Sequence, residues 1–280
     1  MRWFLAVLLA LWSSVATAAP IRVMILDGAS AASYHNWKLT TQVMKRELED
    51  AGLFDVTVVS APPADGDFSN FHPGFDRYQV VVLHGADNAF PGWVAFNEMI
   101  GVGGWRQRDA AAGPKWYFAN GKLMSDSTAG SAGLHGLRKP FRIAVRAPGH
   151  PIMRGLPPVF MHATDELYTR LRGPGTNMTV LATAYADPAN KGTGFDEPML
   201  MALNWGKGRI FHTTLGHDAL ALSCIGFMTT FQRGAEWAAT GRVTQKVPKN
   251  FPTADTVSYR ADLAAMDPAV ADGVLTTLPK

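Results

Sequence analysis

A strand whose successive side chains are nearly all apolar has no face to give to water. Ile21-Arg22-Val23-Met24-Ile25-Leu26, broken only by Arg22, is such a run. It requires cover on both faces, the condition met inside a parallel sheet flanked by helices, and Asp27-Gly28 ends it with turn-forming residues. Trp37, Val43, Met44, Leu48 and Ala51 then recur at helical spacing. With Asn36 placed to cap the start and Gly52 to close the end, a helix is predicted from Trp37 to Ala51. Phe54 to Val59 and Tyr78 to Leu83 read as the second and third strands, separated by a surface loop rich in Pro, Gly and Asp. The chain therefore opens as βαβ.

Residues 101–140 are glycine-rich and carry Trp105, Trp116 and Tyr117 without a sustained period, which predicts a long excursion holding short strands. Within it, Gly101-Val102-Gly103-Gly104 lacks the glycine pattern of a phosphate loop and reads as a flexible turn. Regular strands resume at Phe141 to Val145 and Val180 to Tyr185. Met199 to Asn204 and Arg209 to Leu215 flank Trp205-Gly206-Lys207-Gly208 as a hairpin. A last helix is predicted from Leu222 to Ala239, stopping at Gly241, and the Pro- and Ala-rich tail after Lys246 is expected to pack loosely or not at all.

Before the first strand, the run Phe4 to Trp12 is apolar but too short to span a bilayer, and Ala16-Thr17-Ala18 supplies the small residues of a signal-peptidase site. Residues 1–18 are therefore expected to be a cleaved signal peptide and the mature chain to be periplasmic or secreted, with no integral membrane span. One α/β domain over 19–245 and a C-terminal extension over 246–280 complete the expected organisation. The formal charge is only +3 and the basic residues are scattered, so capture of nucleic acid is not indicated and a small neutral ligand fits better. Cys224 is the single cysteine, which excludes an internal disulfide framework and a cysteine-based zinc site.

In an open parallel sheet the ligand crevice lies beyond the carboxyl ends of the strands. Three histidine-bearing loops are placed there: Ser33-Tyr34-His35-Asn36-Trp37, His84-Gly85-Ala86-Asp87-Asn88 and Gly216-His217-Asp218. Each histidine taken singly can be a structural hydrogen-bonding residue at a strand end. A fourth segment, His162-Ala163-Thr164-Asp165-Glu166-Leu167-Tyr168, offers two adjacent carboxylates. These suit a general base, a group that positions a sugar hydroxyl, or a share in a divalent-cation site, and equally a helix N-terminus with one carboxylate capping. His150-Pro151 reads first as turn chemistry. No His-x-x-x-His spacing occurs, and no metal or cofactor is assigned.

Four segments in register carry a wider likeness: His150-Pro151-Ile152-Met153-Arg154-Gly155-Leu156-Pro157, Asp165-Glu166-Leu167-Tyr168, Glu197-Pro198-Met199-Leu200, and Gly206 through His217. In order and spacing they resemble ThuA-like (trehalose utilisation) domains, and the likeness extends from about Ile21 to Arg260. The resemblance implies a flavodoxin-like three-layer α/β sandwich with a mostly parallel sheet, similar to class I glutamine amidotransferases, and a role around trehalose, glucosides or keto-sugars. Two departures stand out. The strand end that carries the amidotransferase cysteine is here His84-Gly85-Ala86-Asp87, so glutamine hydrolysis is not expected. Tyr78 to Leu83 also runs straight into His84, as if one helix-strand unit were lacking.

The expected function is a carbohydrate-processing protein. His84, His217, Asp165 and Glu166 are its acid-base and orienting candidates; His35, Asn36, Trp37, Asp87, Asn88 and Trp105 are its substrate-binding candidates, with Trp93 as a further apolar platform. A sugar-binding module or scaffold without chemistry is the alternative, and homo-oligomerisation is left open.

Overall fold

The fold is described from a computed structural model, over residues 19–28, 36–63, 66–84, 113–130, 133–173, 175 and 177–271. Strand β1 (Ile21–Gly28) is followed by helix α1 (Trp37–Asp50), β2 (Phe54–Ala61) and β3 (Val80–His84). Then come β4 (Lys115–Ala119), β5 (Lys122–Asp126), β6 (Leu134–His135), β7 (Lys139–Val145), β8 (Val159–Asp165), β9 (Tyr168–Thr169) and β10 (Thr179–Tyr185). The chain continues through β11 (Asp196–Trp205), β12 (Gly208–Thr213), α2 (Ala219–Leu222), α3 (Ile225–Thr240), α4 (Ala261–Ala264) and α5 (Pro268–Ala271).

The opening βαβ unit forms as its sequence requires. β1 lies between β2 and β3 in a parallel three-stranded sheet, and Val23, Met24, Ile25 and Leu26 are wholly excluded from solvent. Asn36 caps α1 by accepting from the Leu39 amide at 3.4 Å, and Gly52 takes the left-handed φ of 67° that ends the helix cheaply only for glycine.

The rest of the fold corrects the expectation of a mostly parallel flavodoxin-like sandwich. The larger sheet has seven strands in the order β5-β4-β11-β10-β7-β8, with β12 also on β11, and its pairings are antiparallel. The reason lies in the connections. Parallel neighbours need a crossover of roughly a dozen residues or more, usually helical, whereas antiparallel neighbours are joined by turns. Here Asn120-Gly121, both at positive φ, joins β4 to β5, and Gly206-Lys207 joins β11 to β12. No α-helix lies between β7 and β8 or between β10 and β11. Apolar strand runs predict burial on two faces; they do not fix the direction of the neighbour.

Two local expectations also change. The predicted last helix is divided into α2 and α3, because Cys224 takes extended geometry and bridges Tyr259 instead. The tail does not hang free: Phe251 packs on Phe160, Leu263 is almost completely buried in the main core, and Met161 donates its amide to Thr253 at 2.7 Å. Among the described residues no helix is long and apolar enough to cross a membrane.

Candidate functional site

The carboxyl end of β8 is the anchor of the site. Asp165 is 1% exposed, and its two oxygens take four close contacts. Oδ1 accepts from the Glu166 amide at 2.8 Å and the His217 amide at 3.1 Å; Oδ2 accepts from the Gly216 amide at 2.7 Å and meets His162 Nε2 at 2.8 Å. The loop after β12 is thereby fastened to the end of β8. Gly216 is needed there, since its φ is 105° and a Cβ would lie 2.5 Å from Leu222 Cδ2. Burial alone would depress the His162 pKa, but the neighbouring Cys224 sulfur and Asp165 carboxylate raise it to about 10.

Glu166, the next residue, meets the ionisable side chains of the site. Its Oε2 accepts from the Tyr168 hydroxyl at 2.6 Å and pairs with His217 Nδ1 at 3.1 Å. Its Oε1 lies 3.6 Å from His135 Nε2, a charge contact too long for a hydrogen bond. Burial pushes the Glu166 pKa upward, yet the hydrogen bonds from His217 and Tyr168 and the charge of His217 hold it at about 2. For His217 the signs reverse: burial lowers its pKa, and the Glu166 carboxylate outweighs burial and raises it. The pair is therefore a carboxylate facing an imidazole whose protonated form that carboxylate favours. Beside it, Arg138 pairs with Asp218, whose side chain caps α2 by accepting from the Ala221 amide at 2.9 Å.

A second polar group forms at the carboxyl ends of β1 and β3. His84 Nε2 lies 2.8 Å from the Thr40 hydroxyl, and Thr41 donates to Asp27 Oδ2 at 2.7 Å. Asp27 and His84 are register partners on neighbouring strands, and Asp27 is 2% exposed with Oδ1 lacking a hydrogen-bond partner among the described residues. Asn36 serves as the α1 cap, and Trp37 opens the helix half-buried. Thus Asp165, Glu166 and His217 come together at β8, whereas His84, Asn36 and Trp37 gather at α1. His35, Asp87, Asn88, Trp93 and Trp105 lie outside the described residues, as do residues 1–18.

Other segments differ from their sequence reading. His162-Ala163-Thr164-Asp165 is the end of a strand rather than a loop or helix start, with Glu166 just beyond it. His150 packs its ring on Trp237 with 4.9 Å between centroids and accepts from the Ile152 amide, which accords with turn chemistry. Sequence reasoning passed over His135 and Asp27. His135 reaches Glu166 across 31 positions of chain, and no local spacing marks such a contact; Asp27 was read only as the end of a strand. Among the described residues, no group of three or more His, Cys, Asp or Glu side chains is arranged to hold a metal ion.

The profile of the family described as "Trehalose utilisation", ThuA, matches residues 22–238. A crystallised ThuA-like protein of Parabacteroides merdae ATCC 43184 is 40% identical, with a TM-score of 0.79 over 88% of this chain and 99% of its own. One from Bacteroides uniformis ATCC 8492 is 15% identical, with a TM-score of 0.50 over 83% of this chain and 97% of its own, a likeness of fold alone. No curated protein matches the chain. With the family profile spanning most of its length and a close structural relative beside it, this chain belongs to the trehalose-utilisation (ThuA) family.

Proposed function

We propose that the protein acts on a small carbohydrate by acid-base chemistry, with His217 as the proton donor and Glu166 as the group that holds it charged and oriented. The observation that carries this reading is the 3.1 Å contact between His217 Nδ1 and Glu166 Oε2, made where β8 ends and fixed by Asp165 beneath. A carboxylate on one ring nitrogen sets the imidazole's orientation and assigns proton transfer to the other, Nε2. His84, steadied by Thr40 at the end of the parallel sheet, is a second proton-handling candidate. Membership in the trehalose-utilisation family supports a glucoside, disaccharide or keto-sugar as substrate.

The test is a product-resolved incubation of the purified protein with trehalose, common glucosides and their 3-keto derivatives. A new product that disappears in His217→Ala supports the proposal. Saturable binding of these sugars by folded protein without any product overturns it in favour of a binding module. We further propose export, on the Phe4 to Trp12 run and the Ala16-Thr17-Ala18 site. N-terminal sequencing of protein recovered from the periplasm or medium should begin at Ala19; a retained apolar run would count against cleavage.

A further inference from the structure

His135 was not among the sequence candidates, yet its position is more firmly built than a two-residue strand suggests. β6 pairs with β9 so that Leu134 lies opposite Thr169 and His135 opposite Tyr168, and the Thr169 hydroxyl donates to the Leu134 carbonyl at 2.9 Å. Just downstream, Asn190 brackets Leu137, accepting from its amide at 3.1 Å and donating to its carbonyl at 2.8 Å. Between them Gly136 lies so close to the turn at Asn190 that a Cβ would fall 1.9 Å from the Asn190 carbonyl oxygen. The ring itself packs edge-on to Tyr168, with 5.5 Å between centroids. A partly exposed histidine is thus held from both sides of the chain against one carboxylate.

The hydrogen bonding also assigns its tautomer. His135 Nδ1 is 2.9 Å from the Gly136 carbonyl oxygen, which can only accept, so Nδ1 carries the proton. In the neutral ring, Nε2 therefore presents a lone pair toward Glu166 Oε1 at 3.6 Å. Two acceptors facing each other repel unless a proton donor joins them. A sugar hydroxyl supplies such a donor, and its side chain neighbour is open enough to admit one: His135 is 39% exposed against 9% for Glu166.

We propose that His135 is a second catalytic residue of this site, the base that takes a proton from a substrate hydroxyl, working opposite His217 across the Glu166 carboxylate. The inference rests on the acid-base reading given above. Its proton balance closes: the hydroxyl proton passes to His135 Nε2 while His217 gives one proton to another oxygen of the bound sugar. The next cycle requires His135 to lose that proton and His217 to regain one, through Glu166 or water. Each histidine uses its own oxygen of Glu166, so neither need move to let the other act.

The experiment compares wild type, His135→Ala, His135→Gln and His217→Ala for turnover of the sugar substrate, with and without added imidazole. In parallel, the imidazole resonances of His135 and His217 are followed by NMR during a titration with trehalose. The expected result is a loss of at least tenfold in kcat for His135→Ala with KM little changed, partial recovery with imidazole, no recovery of His135→Gln, and a shift of the His135 resonance with trehalose. Unaltered kcat in His135→Ala, in a preparation where His217→Ala is inactive, overturns the proposal while leaving the acid-base reading intact. So does a loss that imidazole cannot restore in a variant folded like wild type. If wild type turns over no sugar but trehalose shifts both rings, the chemistry falls and His135 is reassigned to binding. If neither ring responds, both readings fall.

Discussion

Replacing Asp165 separates a brace from a surface catalyst. Its side chain is 1% exposed and takes three backbone amides, from Glu166, Gly216 and His217, together with the buried His162 ring. Asp165→Ala leaves a charged, fully buried imidazole without its counterion, a change that costs about 3–5 kcal/mol when one partner of a buried pair is lost. The orphaned amides carry penalties of about 1–3 kcal/mol each, but they share the same oxygens and relax together, so the costs do not simply add. About 4 kcal/mol is a large part of the ~5–15 kcal/mol that holds a domain folded, and corresponds to a fall of about 8–16 °C in Tm at this chain length. Urea denaturation at neutral pH measures the change directly from the midpoint and slope. Asp165→Asn, which keeps one acceptor oxygen, should fall between wild type and the alanine variant. A loss below about 1 kcal/mol with activity abolished would refute the brace and return Asp165 to the chemistry.

Three further outcomes follow from the same geometry. Gly216→Ala forces a Cβ against Leu222 and Phe227 at a φ of 105°, and should cost about 2–4 kcal/mol in denaturant titration; near-wild-type stability would mean the loop moves freely. Glu47 is wholly buried with neither oxygen hydrogen-bonded among the described residues, and burial raises its pKa well above the ordinary carboxylate value. Its protonated form is the one the fold accepts, so wild type should lose stability relative to Glu47→Gln as pH rises above about 4.5, by up to ~1.4 kcal/mol per pH unit. Equal pH dependence of the two proteins would count against it. For turnover, Glu166 stays ionised down to about 2 and His217 keeps its proton above the usual histidine range. Activity should thus fall on the alkaline side, with that limb moved to lower pH in Glu166→Gln; the absence of any alkaline fall would count against His217 as the proton donor.

Local signals in the sequence located the elements well and their partners poorly. The apolar run at Ile21, the cap at Asn36 and the stop at Gly52 each act within a few residues, and the structure follows them. β8 was missed because His162, Thr164 and Asp165 interrupt its apolar residues; those polar groups are buried by bonding to each other and to the 216–217 loop, which no alternation pattern encodes. Sheet direction failed for a similar reason: it is set by connection length and turn geometry between strands whose own composition does not distinguish parallel from antiparallel. At the site, Glu166 and His217 could be nominated as residue types in strand-end loops. That they meet, and that His135 joins them, depends on β6 pairing with β9 and on Asp165 reaching across 52 positions.

The packed tail has a bearing on when this protein folds. Arg260 pairs with Asp50 across 210 positions, and its amide bonds the Ser223 carbonyl at 2.9 Å, so the first helix and the junction of α2 with α3 are joined by a stretch synthesised long after α1. Contacts so distant in sequence are slow to form, and a chain lacking them leaves the apolar surfaces around Phe160 and Leu263 uncovered. The nascent polypeptide should therefore remain incompletely folded until about residue 260 has emerged.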